Sequence, residues 1–208
     1  GNNELQAYKK GLENVRIEEG LLVIEAHRTE DSFTSARLVT RGKAPFKFGR
    51  IEVRAKLPSG RGTWPAIWML PEADTYGGWP ASGEIDIMEH VGYNPDTIFG
   101  TPHTKAFNHM IGTHRSGAIY LPDAETAFHT YAVEWNAQQI DWFVDDTLYH
   151  RFAPSARTSA EWPFDHPFYL ILNLAVGGNW GGKEGIDDSI WPQQFLIDYV
   201  RVYTKKTQ

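Results

Sequence analysis

Ile51-Glu52-Val53-Arg54-Ala55-Lys56-Leu57 puts an apolar residue at every second position and a charged one between each pair. Side chains alternate across a strand, so this run has one face for a core and one for water. Leu22, Ile24 and Ala26 repeat the pattern, as do Ile140, Trp142 and Val144. Between Tyr169 and Val176, Leu170, Leu172, Leu174 and Val176 share one face, while Tyr169, Ile171, Asn173 and Ala175 share the other. Phe195 to Tyr203 is a further extended run. Nineteen Gly and twelve Pro punctuate these runs, and no window carries a helical stripe. The pattern predicts about a dozen short strands, hence an all-β sandwich or barrel.

The 208 residues suit one domain spanning 1–208, long enough for a core without staples. Cysteine is absent, which excludes disulfides and thiolate metal sites. The net charge of −6, with no basic block, argues against nucleic acid as a partner. No apolar run reaches the ~20 residues of a membrane helix. Gly1-Asn2-Asn3-Glu4 does not read as an export leader, as expected of a processed chain. Eight Trp, nine Tyr and eleven Phe favour strands, and any surplus on the surface favours flat apolar ligands such as sugar rings. Polar, Gly- and Pro-containing stretches predict long loops at 155–167, 74–82 and 108–117, and loops of this kind line sites.

Gly83-Glu84-Ile85-Asp86-Ile87-Met88-Glu89-His90 reads as an acidic strand. Glu84 and Asp86 share a face. Glu89 joins them only if a β-bulge at Ile87-Met88 inserts one extra residue. Three same-face carboxylates with no interleaved cation are a poor way to solvate a strand, because neighbouring acids resist joint ionisation. They suit a reaction that needs one carboxylate and one carboxylic acid, as glycoside hydrolysis does. The Glu84 and Glu89 Cα atoms fall about 13 Å apart on such a strand. Their side chains can meet at either the retaining or the inverting separation, so spacing leaves the stereochemistry open.

The run Glu84-Ile85-Asp86-Ile87-Met88-Glu89 resembles the catalytic signature of glycoside hydrolase family 16, in the longer, bulged form of its laminarinase (endo-1,3-β-glucanase) group. Gly62-Thr63-Trp64-Pro65-Ala66-Ile67-Trp68-Met69-Leu70, Gly100-Thr101-Pro102-His103-Thr104 and Asn173-Leu174-Ala175-Val176-Gly177-Gly178-Asn179-Trp180 extend the likeness along the chain. The resemblance implies a β-jelly-roll sandwich of two curved antiparallel sheets, with substrate across the concave face. It implies retaining chemistry without a catalytic cofactor, with Glu84 as nucleophile, Glu89 as acid/base and Asp86 as the assisting carboxylate. Two departures stand out. Relatives usually carry a further segment, including an early strand, before Asn2-Asn3-Glu4. Pro102 also stands where they commonly have a β-branched residue, and its missing donor marks a sheet edge or a displaced His103.

Trp64, Ala66 and Trp68 share a strand face, and two large aromatics across a small residue make a shelf for stacking sugars. Trp79, in a Gly/Pro-rich loop, is expected to face sugar, and Asn173, opposite the Leu stripe, to floor the cleft. By resemblance Asn14 and Arg37 hydrogen-bond glucose hydroxyls and His103 contacts substrate; Trp180 is a weaker candidate. Asp198 alternates with Leu196, Val200 and Val202, so it is expected on an apolar face, paired or metal-bound. The resemblance implies a structural calcium there, held by Asp198, the Gly20 carbonyl and an acidic residue of the preceding segment. The expected partner is a β-1,3-glucan, bound by a secreted monomer. A non-hydrolytic glucan-binding module would lose Glu84 and Glu89, which this chain keeps. A galactan hydrolase would share the bulged acids, but the Trp64–Leu70 and Gly100–Thr104 runs favour glucan.

Overall fold

Ile51, Val53 and Ala55 are fully buried and Leu57 nearly so in the computed structural model, which describes residues 2–204. The strands are β1 (Gln6–Tyr8), β2 (Val15–Glu18), β3 (Leu21–Arg28), β4 (Phe33–Ser35) and β5 (Arg37–Val39). Then come β6 (Gly49–Lys56), β7 (Thr63–Pro71), β8 (Glu84–Glu89), β9 (Thr97–His103) and β10 (Gly117–Tyr120). The last are β11 (His129–Trp135), β12 (Ile140–Val144), β13 (Thr147–Phe152), β14 (Phe168–Val176) and β15 (Gln193–Tyr203). Among the described residues the one helical segment is a 3-10 turn, His109–Ile111.

Nine strands form one sheet in the order β1-β4-β3-β15-β6-β11-β12-β13, with β2 paired on β3. Six form the other, in the order β10-β9-β8-β7-β14-β5. The arrangement is the jelly-roll sandwich the resemblance implied. One pairing departs from the antiparallel expectation: β1 runs parallel to β4, with Gln6 opposite Phe33. The three-residue strands β1, β4 and β5 account for most of the excess over a dozen, being too short to show alternation.

The core lies between the sheets. Ile67, Met69, Ile85, Met88, Leu170, Leu172 and Leu174 of the smaller sheet meet Ile24, Val53, Tyr131, Val133, Trp142 and Phe195 of the larger. Strand β14 is buried along its whole length. Its Leu face enters the core, while Tyr169, Asn173 and Ala175 line the opposite, cleft-bearing face.

The bulge expected at Ile87-Met88 is present. Asp86 pairs with Trp68 and Met88 with Ile67, leaving Ile87 as the extra residue against β7. Across β9, Asp86 pairs with Thr101 and Glu89 with Phe99, so Ile87 and Met88 together oppose Gly100. Trp142 of the larger sheet reaches through the core and donates its indole N–H to the Asp86 carbonyl at 2.7 Å. A Cβ on Gly100 would fall 2.3 Å from Trp142 Cδ1, so only glycine leaves room for that indole. Pro102 sits in register opposite Ile85, beyond the stretch of β9 that β10 covers, so it marks a sheet edge and does not displace His103.

The connections at 153–167, 72–83 and 104–116 correspond to the three long loops expected, and a fourth, 177–192, carries Trp180. Three of the four reach the cleft face: Trp79, His109 and Trp180 all line it.

Candidate active site

Register places the site residues before any side-chain detail. On the outer face of the six-stranded sheet, Glu89 is level with Ala66 and Phe99, Asp86 with Trp68 and Thr101, and Glu84 with His103. On the other flank, Asn173 of β14 is level with Ala66 of β7 and Arg37 of β5. Adjacent strands lie ~4.8 Å apart, so these side chains form one patch.

The two glutamates each receive an indole N–H. Trp79 donates to Glu84 Oε2 at 2.9 Å and Trp64 to Glu89 Oε1 at 3.1 Å. His103 Nε2 lies 3.1 Å from Asp86 Oδ2 and 3.7 Å from Glu84 Oε1. Burial holds the Glu84 carboxyl well above the usual carboxylate range, and the neighbouring Asp86 charge pushes it further; His103 and the Trp79 N–H oppose this. Asp86 is likewise held well above its usual range, by burial and then by Glu89. Glu89 is raised by burial against the opposing effects of His103 and the Trp64 N–H. The stripe therefore retains protons at pH values where free carboxylates have lost theirs, and can present both an acid and a base.

These raised values bear on stability with a definite sign. A carboxyl whose folded pKa lies above its unfolded value of ~4 makes the folded state bind more protons, so stability falls as pH rises through the interval between the two values. Asp86→Asn removes one such group. Its melting temperature is expected to exceed the parent's at pH 7, by about 2–4 °C per kcal/mol relieved. The two should converge in melts below about pH 3, where Asp is mostly protonated in both states. A difference unchanged across pH would assign the effect to packing instead of charge.

Three hollows of 460, 150 and 480 Å³ all share Glu84 and Asn2 and together run along this face. Trp68, Leu70, Tyr169, Arg41 and Trp79 line the first. Trp64, Ala66, Asp86, Glu89, Arg37 and Asn173 line the middle. Phe99, Thr101, His103, His114 and Trp180 line the third. Trp64, Trp68, Trp79, His103, Arg37 and Asn173 thus come together around the acids. Arg37 lies over the Trp68 ring at 4.6 Å. Asn173 accepts from Trp68 Nε1 at 2.7 Å and donates to Tyr8 Oη at 3.1 Å, so its amide orients the shelf. Trp180 packs edge-on against Trp64 and Phe99.

Asn14 is not part of this patch. It is fully buried in front of β2, donating to the Glu25 carbonyl at 2.9 Å and to Thr34 Oγ1 at 3.1 Å, and it lines none of the hollows. Its amide ties β2 and β3 to β4. The N-terminal contribution to the cleft comes from Asn2, Glu4 and Tyr8 instead. Their place depends on a bridge from Glu4 to Gly177 and on Val176 N–H donating to the Gln6 side chain at 2.7 Å. His109, whose ring sits 5.3 Å from that of Trp79, was also not singled out, because a loop histidine carries no periodic signal.

The expected calcium ligands do not form a calcium site. Asp198 is the extra residue of a bulge between Ile197 and Tyr199, which turns it out of the apolar face. Its side chain is 36% exposed and paired with Arg54 Nη1 at 2.6 Å. Gly20 lies in the exposed β2–β3 turn. Calcium takes six to eight oxygens with strong carboxylate contribution. Here one carboxylate is already neutralised, and among the described residues no group of three acidic or histidine side chains gathers beside it. The donor set does not fit the ion.

A long groove walled by aromatics, with paired glutamates at its centre, defines a polysaccharide-cleaving glycoside hydrolase. Residues 3–201 match the profile of glycosyl hydrolases family 16, and the chain belongs to that family. It is 58% identical to a beta-glucanase of Rhodothermus marinus over 214 residues, covering 98% of this chain and 75% of that protein. It is 38% identical to glucan endo-1,3-beta-glucosidase A1 of Niallia circulans, covering 99% of this chain but 33% of that protein. The X-ray structure of the laminarinase from Rhodothermus marinus superposes with a TM-score of 0.94 at 56% identity, covering 97% of this chain and 85% of that one.

Proposed function

We propose that this chain is an endo-acting, retaining β-1,3-glucanase that cleaves laminarin-type glucans. The observation that carries the reading is the bulged strand β8, which puts Glu84 and Glu89 on one face at the middle of a cleft extending to both sides. A cleft continuing past the acids in both directions accepts the interior of a polymer.

In the first step Glu84 attacks the anomeric carbon while Glu89 gives its proton to the departing glycosidic oxygen, leaving an α-linked glucosyl ester. In the second, Glu89 takes a proton from water, whose oxygen displaces Glu84, and the β-configuration is restored. Asp86, whose carboxyl is held well above its usual range by burial and by Glu89, stands beside Glu84, and in its protonated form it lifts the charge that opposes ionisation of Glu84. The Trp79 N–H supports the same charge. No metal or cofactor has a role in these steps. The cleft is built whole from one chain, which supports action as a monomer. A polymeric glucan does not enter a cell intact, which supports action outside it.

Trp64, Trp68 and Trp79 serve as sugar platforms. Trp68→Ala and Trp64→Ala are each expected to lower kcat/KM on laminarin about tenfold or more while leaving the far-ultraviolet circular dichroism unchanged, since an aromatic stack contributes on the order of 1 kcal/mol. A variant that melts early yet cleaves at the parental rate per folded molecule would make that indole a packing residue.

Product analysis on laminarin, lichenan and agarose tests the whole reading. A ladder of β-1,3-linked oligosaccharides from laminarin, released first as β-anomers, is the expected outcome. Cleavage of agarose alone would make the protein a galactan hydrolase. Binding of laminarin without any product would make it a binding module.

A further inference from the structure

We infer that Glu84, Asp86 and His103 form a binding site for a divalent first-row cation such as Zn²⁺, which excludes substrate while bound. One ligand atom from each side chain lies within 4.8 Å of the other two. His103 Nε2 is 3.1 Å from Asp86 Oδ2 and 3.7 Å from Glu84 Oε1. Zinc bonds of about 2.0–2.2 Å at tetrahedral angles set ligand atoms roughly 3.3–3.6 Å apart. Two of the three edges are therefore within a few tenths of an ångström of a coordination sphere. The Glu84 side chain has the torsional freedom to close the third.

Unmet bonding capacity points to the same place. Asp86 is 3% exposed, and its Oδ2 has no hydrogen-bond partner. His103 is 7% exposed, and it is its Nε2 that faces the Asp86 and Glu84 oxygens. A buried carboxylate oxygen aimed at an imidazole nitrogen without a shared proton is costly, and a cation between them satisfies both. Two carboxylates and one imidazole are a donor set for zinc, cobalt or manganese and not for calcium. The remaining coordination positions open to the cleft, where water completes the sphere. Glu89 is outside the set and keeps its bond to Trp64. Because the ion engages the Glu84 carboxylate assigned to attack the anomeric carbon, it inhibits, and a chelator reverses the inhibition.

The site is read without glucan, so its failure leaves the proposed activity untouched, and the reverse also holds. Calorimetric titration of Zn²⁺ into the metal-free protein should show one bound equivalent that EDTA removes. Asp86→Asn and His103→Gln should each weaken that equivalent at least about tenfold. Co²⁺ gives a second reading on the unaltered protein: a visible ligand-field band that saturates at one equivalent and vanishes when Zn²⁺ is added. Absence of a bound equivalent in the unaltered protein at millimolar Zn²⁺, or an equivalent unchanged in both variants, overturns the site.

Discussion

Glu84→Ser is expected to abolish laminarin hydrolysis while leaving a protein that still builds glycosidic bonds. Removing a nucleophile that forms a covalent intermediate costs about 10⁴-fold or more in kcat where comparable losses have been measured. The variant should fold, because Glu84 lines the open cleft and accepts its indole hydrogen bond from the exposed Trp79. The space vacated admits the fluorine of an α-glucosyl fluoride, which presents the same face as the α-linked intermediate. An acceptor hydroxyl then attacks the anomeric carbon, gives its proton to Glu89 and expels fluoride, and the new bond is β. Fluoride release together with oligosaccharide growth measures this. Hydrolysis of laminarin within tenfold of the parent would remove Glu84 from the nucleophile's role.

Glu89→Ala should fail differently. General acid and base assistance contribute typically 10²–10⁴-fold, and the loss falls on substrates whose leaving group needs a proton. An aryl glucoside with an acidic phenol needs none, so its first step should proceed and the intermediate should accumulate. Azide requires no general base and should restore turnover, giving a β-glucosyl azide because it attacks an α-linked ester. The alkaline limb of the pH profile, set by protonated Glu89, should disappear, while the acid limb set by ionised Glu84 remains. A β-azide from the Glu84 variant together with an α-azide from the Glu89 variant would exchange the two roles.

How far the chain could be read depended on the range of the contacts involved. The alternations of β6 and β12 are local, and so is the conflict between Glu84, Asp86 and Glu89 that demanded a bulge. Asp198 misled because the same device, one extra residue in β15, resets the alternation without leaving a mark in composition. Its true partner, Arg54, is 144 positions away. Asn14 misled by proximity: the chain near it does enter the cleft, but through Tyr8, while Asn14 itself ties three strands together. Tryptophan had two readings that no local pattern separates. Trp142 is buried beneath the acids, while Trp64 and Trp68 stand beside them on the cleft face, and only the pairing of the sheets distinguishes floor from foundation.

The spacing of the two glutamates is written in three distant places: the surplus Ile87 in β8, the bare Cα of Gly100 in β9, and the Trp142 indole that fills the room left by Gly100 and holds the Asp86 carbonyl. Deleting one residue from β8 would straighten the strand but leave the other two positions shaped for a bulge. A side chain at Gly100 would collide with the indole whatever β8 does. Drift between bulged and straight acid strands is thus an epistatic problem, in which each single step passes through a poorly active sequence. A lineage holding one form is expected to keep it long after its loops have diverged toward other polysaccharides.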